Sequence, residues 1–293
     1  MRVLHLDAGK EMRGGQWQVL RLIDGLLRRG TECTLLARQN SPLFEKARKA
    51  GFEAQALGLD RFFRLLRHHD LIHAHDARSH TVAAVFPGPP VIVARRVAFA
   101  VRSRWKYRRA RRYIAVSDYV KSVLVEGGVP SDKIAVVPDG VPLLAAAQGS
   151  VVLTPDQGED PRKGTALALE AARLAGVPIK LTSNLEPDLA GAGFFVYLTH
   201  SEGLGSAVLL AMSASVPVIA SDVGGLREVI QHRHNGFLVD NSAAVIAQAL
   251  TELQREPGLA QRLGRAARQT IEDRFTIDLM VSRTLAVYHE VLA

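Results

Sequence analysis

Short apolar runs alternate with longer amphipathic stretches along the chain. The runs are rich in Val, Ile and Leu, and the stretches between them carry apolar residues at helical spacing. This alternation is typical of parallel sheets that are covered by helices on both faces. The pattern therefore predicts an α/β protein made of two similar layered domains.

The predicted strands fall into two series, separated by a less regular segment, VPLLAAAQGS, at 141–150. The first series is 3–6, 33–36, 71–73, 91–94, 113–116 and 134–137. The second series is 151–153, 179–181, 194–198, 216–220 and 236–239. We expect a first domain at 1–143, a second domain at 144–293, and a linker within 141–150. From residue 243 onward the pattern is helical, with breaks near Pro257 and at Phe275.

The composition is that of a globular protein from a reducing compartment. With 293 residues and 47% hydrophobic content, the chain can bury the cores of two domains. A single cysteine, Cys33, excludes an internal disulfide, and its apolar neighbours predict a buried thiol. The start of the chain becomes polar too quickly for a secretory signal, and no run of about 18 apolar residues is present. We expect a cytoplasmic protein.

Two glycine turns in the second half have the pattern of phosphate-binding loops. The apolar run 194–198 ends in polar residues up to Glu202, and Gly203 and Gly205 precede a helical pattern that opens at Ser206. A similar turn, with glycines at 224–225, follows the next strand. Free N–H groups at a helix start attract anions, and glycine lets a diphosphate approach the backbone closely. Each turn alone is weak evidence, because glycine between strand and helix is common in parallel sheets.

The combination of motifs is more specific than either turn. The chain carries EGLGSAVLLAM, then PVIASDVGGLREVI, then NGFLV. This series closely resembles the donor-binding half of the family 4 glycosyltransferases, which are retaining enzymes of the GT-B fold that use nucleotide-activated sugars. The resemblance implies two Rossmann-like, doubly wound parallel-sheet domains facing a cleft, with the last helix, about 276–293, packing back on the first domain. It also implies no metal, no cofactor beyond the nucleotide-sugar co-substrate, and no protein nucleophile.

The resemblance assigns donor-binding roles to particular residues of the second domain. Glu202 matches a catalytic glutamate that touches the donor sugar, and Lys163, in the motif DPRKG, matches a lysine for the β-phosphate. The backbone of the first turn is expected to bind the diphosphate, through Gly203, Leu204, Gly205 and Ser206.

Two motifs of the first domain match the family as well. The pair Gly14–Gly15 opens an amphipathic helix, which by itself is as consistent with a plain loop and cap as with a site. The resemblance implies that this turn contacts the diphosphate and the acceptor. His75 matches a catalytic histidine beside the transferring sugar, where it would donate a hydrogen bond or orient the acceptor. His73 and His75 share a face of an extended chain, so zinc is an alternative, but without a further fixed ligand we favour no metal and a structural His73.

The chain departs from the family at positions that are expected to bind the nucleotide. Position 210, which holds a second glutamate for the ribose in the family, is Leu210. A carboxylate–ribose contact contributes roughly 1.5–3 kcal/mol, so its loss weakens nucleotide binding by about tenfold to a hundredfold unless another group substitutes. Gln157 stands near the position of a family arginine, and Asp139 replaces an asparagine. A negative charge near a diphosphate is unfavourable unless it is paired.

A basic cluster at 95–112 accounts for much of the net charge of +8. It contains no acid, and Phe99, Trp105 and Tyr107 are interleaved with the cations. A solvated surface, a nucleic-acid patch and an anionic membrane platform are the alternatives. We favour a membrane or acceptor surface, since no nucleic-acid recognition motif is visible. Its expected residues are Arg95, Arg96, Arg102, Arg104, Trp105 and Lys106.

The leading hypothesis is a glycosyltransferase on the inner face of the membrane, acting in lipopolysaccharide or polysaccharide biosynthesis. Its partners would be a nucleotide sugar, a glycan or lipid-linked acceptor and an anionic membrane surface, but not nucleic acid. The alternative is a catalytically impaired glycosyltransferase-like protein that serves as a binding or scaffold partner, as Leu210 and Gln157 would allow. The sequence names neither the sugar, the base nor the acceptor.

Overall fold

The computed structural model describes residues 1–156, 158 and 163–293. The chain divides into two compact units. The first unit is Met1–Gly140 together with Ile277–Ala293, and the second unit is Val141–Thr276. The last helix therefore belongs to the unit in which the chain begins.

The first unit is built on a seven-stranded parallel sheet. Its strands are β1 (Arg2–Asp7), β2 (Glu32–Ala37), β3 (Glu53–Ala56), β4 (Leu71–Ala74), β5 (Val91–Arg95), β6 (Arg112–Ala115) and β7 (Ile134–Val136). The order is β3-β2-β1-β4-β5-β6-β7. The chain runs outward from β1 to β3 and then returns to β4 on the other side of β1. Ligands of such sheets bind at the carboxyl ends of the strands where the direction reverses, here β1 and β4.

Helices connect these strands and cover the sheet. They are α1 (Gly14–Arg28), α2 (Pro42–Lys49), α3 (Leu59–Leu66), α4 (Ala77–Val85), α5 (Arg104–Arg109) and α6 (Asp118–Glu126). The apolar runs of the sequence correspond to the observed strands, but β3 was not predicted. Its sequence, EAQA, lacks the β-branched and aromatic residues that indicate a strand, so only its pairing with β2 makes it one.

The second unit contains a five-stranded parallel sheet among its described residues. Its strands are β8 (Val151–Pro155), β9 (Ile179–Thr182), β10 (Ala192–Tyr197), β11 (Val218–Ser221) and β12 (Phe237–Val239), in the order β12-β11-β10-β8-β9. Its helices are α7 (Thr165–Ala175), α8 (Leu185–Asp188), α9 (Ser206–Ser213), α10 (Leu226–Val229), α11 (Ala243–Arg255) and α12 (Pro257–Arg274). The direction of winding reverses between β8 and β10, so their carboxyl ends form the corresponding binding edge.

The segment predicted as a linker has no regular secondary structure. Val141 forms a bridge with Thr276, and its N–H donates to the carbonyl of Phe275 at 2.9 Å. Further along, the N–H of Ala147 donates to the carbonyl of Ala214 at 2.9 Å. Residues 141–150 therefore run along the second unit, and the boundary lies just before Val141.

The last helix, α13 (Ile277–Leu292), packs against α1 in the first unit. Gly25 of α1 lies so close to α13 that an added Cβ would be 2.4 Å from Cγ2 of Val281. At the solvent edge of this contact, Arg29 pairs with Asp278 at 3.1 Å. Within the described part of the chain, every helix is too short or too polar to span a bilayer.

Alanine at Gly25 tests whether α13 depends on this close approach. We expect Gly25→Ala to lower the free energy of unfolding by roughly 1–3 kcal/mol, because its methyl group overpacks the contact with Val281. Gly258 of α12 is the matched control, since an added Cβ there meets nothing within 4 Å. Gly258→Ala should gain up to about 1 kcal/mol from helix propensity. Urea unfolding monitored by circular dichroism measures both, and a stabilised Gly25→Ala would contradict the packing described.

Candidate functional site

Lys163 lies at the carboxyl edge of the second sheet. It pairs with Thr199 in an antiparallel bridge, and the N–H of the next residue, Gly164, donates to the carbonyl of Leu198 at 2.9 Å. A Cβ on Gly164 would be 2.3 Å from Cβ of Leu198, so the chain can cross β10 here only with glycine. The Lys-Gly pair thus places an ammonium group at the start of α7, beside the end of β10.

Glu202 is fixed at the same edge, five residues after the end of β10. Its Oε2 accepts a hydrogen bond from the hydroxyl of Tyr197 at 2.5 Å, and its Oε1 accepts one from the N–H of Gly203 at 2.9 Å. Gly205 follows with φ of +97°, a conformation that favours glycine, and α9 begins at the next residue. The predicted order of strand, glycine turn and helix is present.

The second glycine turn supports the first. The N–H of Gly225 donates to the carbonyl of Glu202 at 3.1 Å, and a Cβ on Gly225 would lie 1.9 Å from the carbonyl oxygen of Gly203. The two turns therefore pack backbone against backbone. Gly225 has a structural role that accounts for its presence without a ligand.

Polar side chains tie the ends of three neighbouring strands together. The N–H of Thr199 donates to Oγ of Ser221 at 2.9 Å, and that hydroxyl donates to Oδ1 of Asn241 at 2.6 Å. Asn241 in turn donates to the carbonyl of Thr199 at 3.0 Å. The sequence analysis missed Asn241, because a single asparagine after a strand has no distinguishing pattern.

A cavity of about 480 Å³ opens beside Lys163. Its described lining comes from the start of α7, from Thr199 and His200, and from Asn241. Oγ1 of Thr165, the first residue of α7, is buried in this region without a hydrogen-bond partner. The lining residues do not include Gly203 or Gly205, so the cavity holds the lysine but not the glycine turn.

In the first unit, His75 follows β4 and lies in a cluster of buried imidazoles. His5 of β1 and His73 of β4 are register neighbours, and each of the three side chains is at most 7% exposed. Nε2 of His75 lies 2.9 Å from Nδ1 of His5, and Nδ1 of His73 lies 2.6 Å from the hydroxyl of Tyr288 on α13. The sequence analysis missed His5, whose only signal is a polar residue in a buried strand.

The environment keeps these histidines neutral. Burial, reinforced by neighbouring histidines and the charge of Arg96, lowers the pKa of His73 and His75 well below the usual value, and burial lowers the pKa of His5 to about 3. Nη1 of Arg96 lies 3.4 Å from Nδ1 of His75. Because a guanidinium only donates, Nδ1 accepts, so the proton of His75 lies on Nε2 and is donated to His5.

Arg96 belongs to this cluster and is largely buried, so it is not part of the exposed basic surface, while its expected role at the acceptor stays a prediction. Its Nε pairs with Oδ1 of Asp139 at 3.0 Å, and the side chain is only 13% exposed. The aliphatic part of Arg96 lies next to the start of α1, since a Cβ on Gly15 would be 3.8 Å from its Cδ. The negative charge that Asp139 adds is therefore paired.

Nitrogen atoms of the three histidines lie within 4.8 Å of one another, close enough to consider a metal ion. Neutral imidazoles suit a metal, but the guanidinium of Arg96 beside His75 opposes a second positive charge. The absence of a metal stays a prediction.

Carboxylates of the first unit organise the turn before α1. Asp7, at the end of β1, accepts from the N–H of Gly9 at 2.8 Å and from the side chain of Gln16 at 3.1 Å. Asp76 caps α4 and also accepts from the N–H of Ala8 at 2.6 Å. A polar cavity of about 450 Å³ adjoins both elements, and its charged lining residues are Lys10, Glu11, Arg13, Asp76 and Arg78.

Two family models match the chain. The model described as Glycosyltransferase Family 4 matches residues 12–143, and the model described as Glycosyl transferases group 1 matches residues 160–270. The chain belongs to the family 4 glycosyltransferases.

A relative and two solved structures illustrate the relationship. The N-acetyl-alpha-D-glucosaminyl L-malate synthase of Bacillus anthracis is 33% identical over 111 residues, which are 37% of this chain and 29% of the relative. Anabaena HepE in complex with UDP superimposes with a TM-score of 0.86 at 14% identity, covering 99% of this chain and 100% of that chain. The apo form of the lipopolysaccharide outer core galactosyltransferase WaaB gives a TM-score of 0.72 at 14% identity, covering 99% and 100%. The expected GT-B fold class, with two Rossmann-like domains, is confirmed.

The position of the second family glutamate is part of the hydrophobic core in this family 4 member. Leu210 lies on α9 and is 7% exposed, within a helix whose residues from Val208 to Ser213 are all buried. A leucine there cannot bind ribose, so the structure places no carboxylate at this position. Gln157, the other departure, lies outside the described residues.

The basic cluster of this family 4 chain separates into two parts. Arg95 donates to the hydroxyl of Tyr107 at 3.1 Å, and Lys106 donates to the carbonyl of Ala77 at 3.4 Å, so both point into the unit. Arg104 begins α5. The exposed part contains Trp105 and Phe99, at 51% and 63% exposure, and the cations Arg102, Arg108, Arg109 and Arg111.

The pKa of Asp7 gives a test of the first-unit site. Burial, with a smaller effect of Asp76, raises this pKa above the usual value of an aspartate, to about 6. The folded state then binds the proton more tightly than the unfolded state, so stability is lost as pH rises from about 4 through 6.

Asp7→Asn removes this charge. The difference between the variant's free energy of unfolding and the parent's should be roughly 2 kcal/mol more favourable to the variant at pH 7.5 than at pH 4.5. Chemical denaturation across this pH range measures it. Asp240→Asn, at an exposed position, is the control and should show no such trend. An Asp7→Asn difference that is flat with pH would show that Asp7 titrates like an exposed carboxylate.

Proposed function

We propose that this protein is a retaining, metal-independent glycosyltransferase that moves a sugar from a nucleoside-diphosphate sugar to a cell-envelope glycan or lipid-linked acceptor. The observation that carries the proposal is the arrangement at the carboxyl edge of the second sheet. There Lys163, a fixed Glu202 and the glycine turn before α9 come from the two strands at which the winding reverses. The bound UDP of Anabaena HepE, which has the same fold, supports a nucleotide donor.

The proposed chemistry depends on charge stabilisation of the leaving group. Negative charge develops on the diphosphate as its bond to the sugar breaks, and the N–H groups at the start of α9 with the ammonium of Lys163 would stabilise it. Glu202 would bind hydroxyl groups of the sugar. Retention without a protein nucleophile requires the acceptor hydroxyl to enter on the face from which the diphosphate leaves, and the diphosphate takes up the acceptor's proton.

The first unit would bind the acceptor. The charged residues lining its cavity are three cations, Lys10, Arg13 and Arg78, and two acids, Asp76 and Glu11, of which Glu11 pairs with Arg13. The cations outnumber the acids and Arg96 lies beside Gly15, so an acceptor with a phosphate or carboxylate group suits the net positive charge. The malate in the name of the Bacillus anthracis relative and the lipopolysaccharide core in that of WaaB are acceptor types consistent with this proposal. His75 would act here through Arg96, because both of its ring nitrogens already have protein partners.

Membrane attachment is the second part of the proposal. Phe99 and Trp105 are exposed beside Arg102, Arg108 and Arg109. Aromatic rings that insert among headgroups, next to cations that attract anionic lipid, are typical of peripheral membrane proteins. The protein would then work on the inner face of the membrane, from the cytoplasm.

Leu210 supports one competing function. Because it is buried where the family binds ribose, a chain that has lost nucleotide binding and serves as a scaffold is the alternative. Calorimetric titration with uridine, guanosine, adenosine and thymidine diphosphates separates the two, since a scaffold gives no binding heat with any of them.

The donor site predicts the effect of removing the ammonium group. Lys163→Ala should weaken binding of the preferred nucleoside diphosphate by about tenfold to a hundredfold, because a charge-assisted contact contributes roughly 1.5–3 kcal/mol. Arg265→Ala, which removes an exposed cation of α12, is the control and should bind as the parent does. Calorimetry gives both affinities, and hydrolysis of nucleotide sugars checks activity. Parent-like affinity of Lys163→Ala would refute the assignment of this lysine.

The membrane surface makes a separate prediction. The parent should bind phosphatidylglycerol vesicles more tightly than phosphatidylcholine vesicles in a sedimentation assay. Replacing Arg102 and Arg108 with glutamine should lower the partition coefficient roughly thirtyfold, at about 1 kcal/mol for each charge. Trp105→Ala should weaken binding as well. Trp17→Ala removes another partly exposed tryptophan of the first unit and should have no effect. Equal binding to both vesicle types would exclude an anionic membrane partner.

A further inference from the structure

Tyr197 is a buried side chain to which the proposed function assigns no role. It is the last residue of β10 and is 7% exposed, and its ring stacks on that of Phe195. Its hydroxyl donates to Oε2 of Glu202 at 2.5 Å. The phenol is therefore buried inside the second unit, and it contacts the carboxylate of Glu202, which is only partly buried.

The contact leaves Glu202 little freedom. Its second carboxylate oxygen accepts from the N–H of Gly203, and its carbonyl accepts from the N–H of Gly225. Both the backbone and the side chain of Glu202 are thus held, while the residue remains only partly buried. A carboxylate with two hydrogen bonds is oriented before any ligand binds, which is how a site lowers the entropic cost of positioning a substrate.

We propose that Tyr197 is a positioning residue that orients the carboxylate of Glu202 toward the sugar of the donor. This inference rests on the proposed function of Glu202. Burial first, and then the neighbouring carboxylate, raises the pKa of Tyr197 well above its usual value, so the phenol stays a hydrogen-bond donor at physiological pH. The contact concerns the sugar and not the diphosphate, which separates its effects from those of Lys163.

The experiment compares Tyr197→Phe, Glu202→Gln and their double variant in the full chain. Two quantities are measured for each: the affinity for the preferred nucleoside diphosphate, and kcat and KM for hydrolysis of its sugar conjugate. Tyr113→Phe is the matched control, since it removes another buried hydroxyl, which donates to the carbonyl of Tyr107 at 2.7 Å. Thermal unfolding verifies that each variant is folded.

Tyr197→Phe should lower kcat about tenfold to a hundredfold and leave diphosphate affinity within about twofold of the parent. On the Glu202→Gln background the same change should have almost no further effect, because residues that act through one another are not additive. Tyr113→Phe should retain parental kcat. A merely structural role for Tyr197 would lower activity equally on both backgrounds.

The outcomes separate the two proposals. Parent-like kcat in Tyr197→Phe, together with a loss in Glu202→Gln, overturns the positioning role and leaves the site assignment intact. Parent-like kcat in Glu202→Gln overturns the assignment of Glu202 itself. If Tyr197→Phe does not fold, Glu202→Asp replaces it, because the shorter side chain draws the carboxylate away from the phenol. An Asp variant as active as the parent would likewise overturn the inference.

Discussion

The carboxyl edge of the second sheet, which is the proposed donor site, depends on close contacts that only glycine permits. Gly164 crosses the end of β10 against Leu198, and Gly225 lies against the carbonyl of Gly203. A side chain at Gly164 or Gly225 would push apart the segments that carry Lys163 and the glycine turn. The positions of the ammonium group and of the N–H groups at the start of α9 are therefore set by main-chain packing, before electrostatics contributes. An anion site built in this way is preorganised, because its donors do not reorganise when charge arrives.

Charge in the first unit is organised by pairing and burial. A chain with a net charge of +8 suggests a broadly basic surface, yet Arg96 is held by Asp139 and Lys106 points at the main chain of α4. The replacement of the family's asparagine by Asp139 is understandable only with Arg96 beside it. In the composition, Arg96 and Asp139 count as two separate charges. In the fold, Arg96 follows β5 and Asp139 lies shortly after β7, and their side chains pair.

Much of the fold was predictable, because apolar periodicity reports directly on burial. The strands with Val, Ile and Leu were found, and EAQA at Glu53–Ala56 was missed, since it is a strand through pairing alone. The site was less accessible to sequence reasoning. Lys163 and Glu202 stand in recognisable motifs, but their roles in the reaction stay predictions. The partners of Glu202 and His75 are Tyr197 and His5, side chains on strand positions that look like core, and only the folded structure reveals these contacts.

The replacement at position 210 shows how packing constrains what the proposed donor site can bind. Helix α9 is buried along Val208–Ser213, so a leucine at 210 improves the core at the place where a carboxylate would need solvent or a ligand. The groups that remain at this edge, Lys163, Glu202 and the N–H groups before α9, are suited to the diphosphate and the sugar. In the proposed enzyme, most of the binding free energy of the donor would consequently come from its diphosphate and its sugar, the two parts that take part in the reaction. Ribose and base would then contribute less to that affinity.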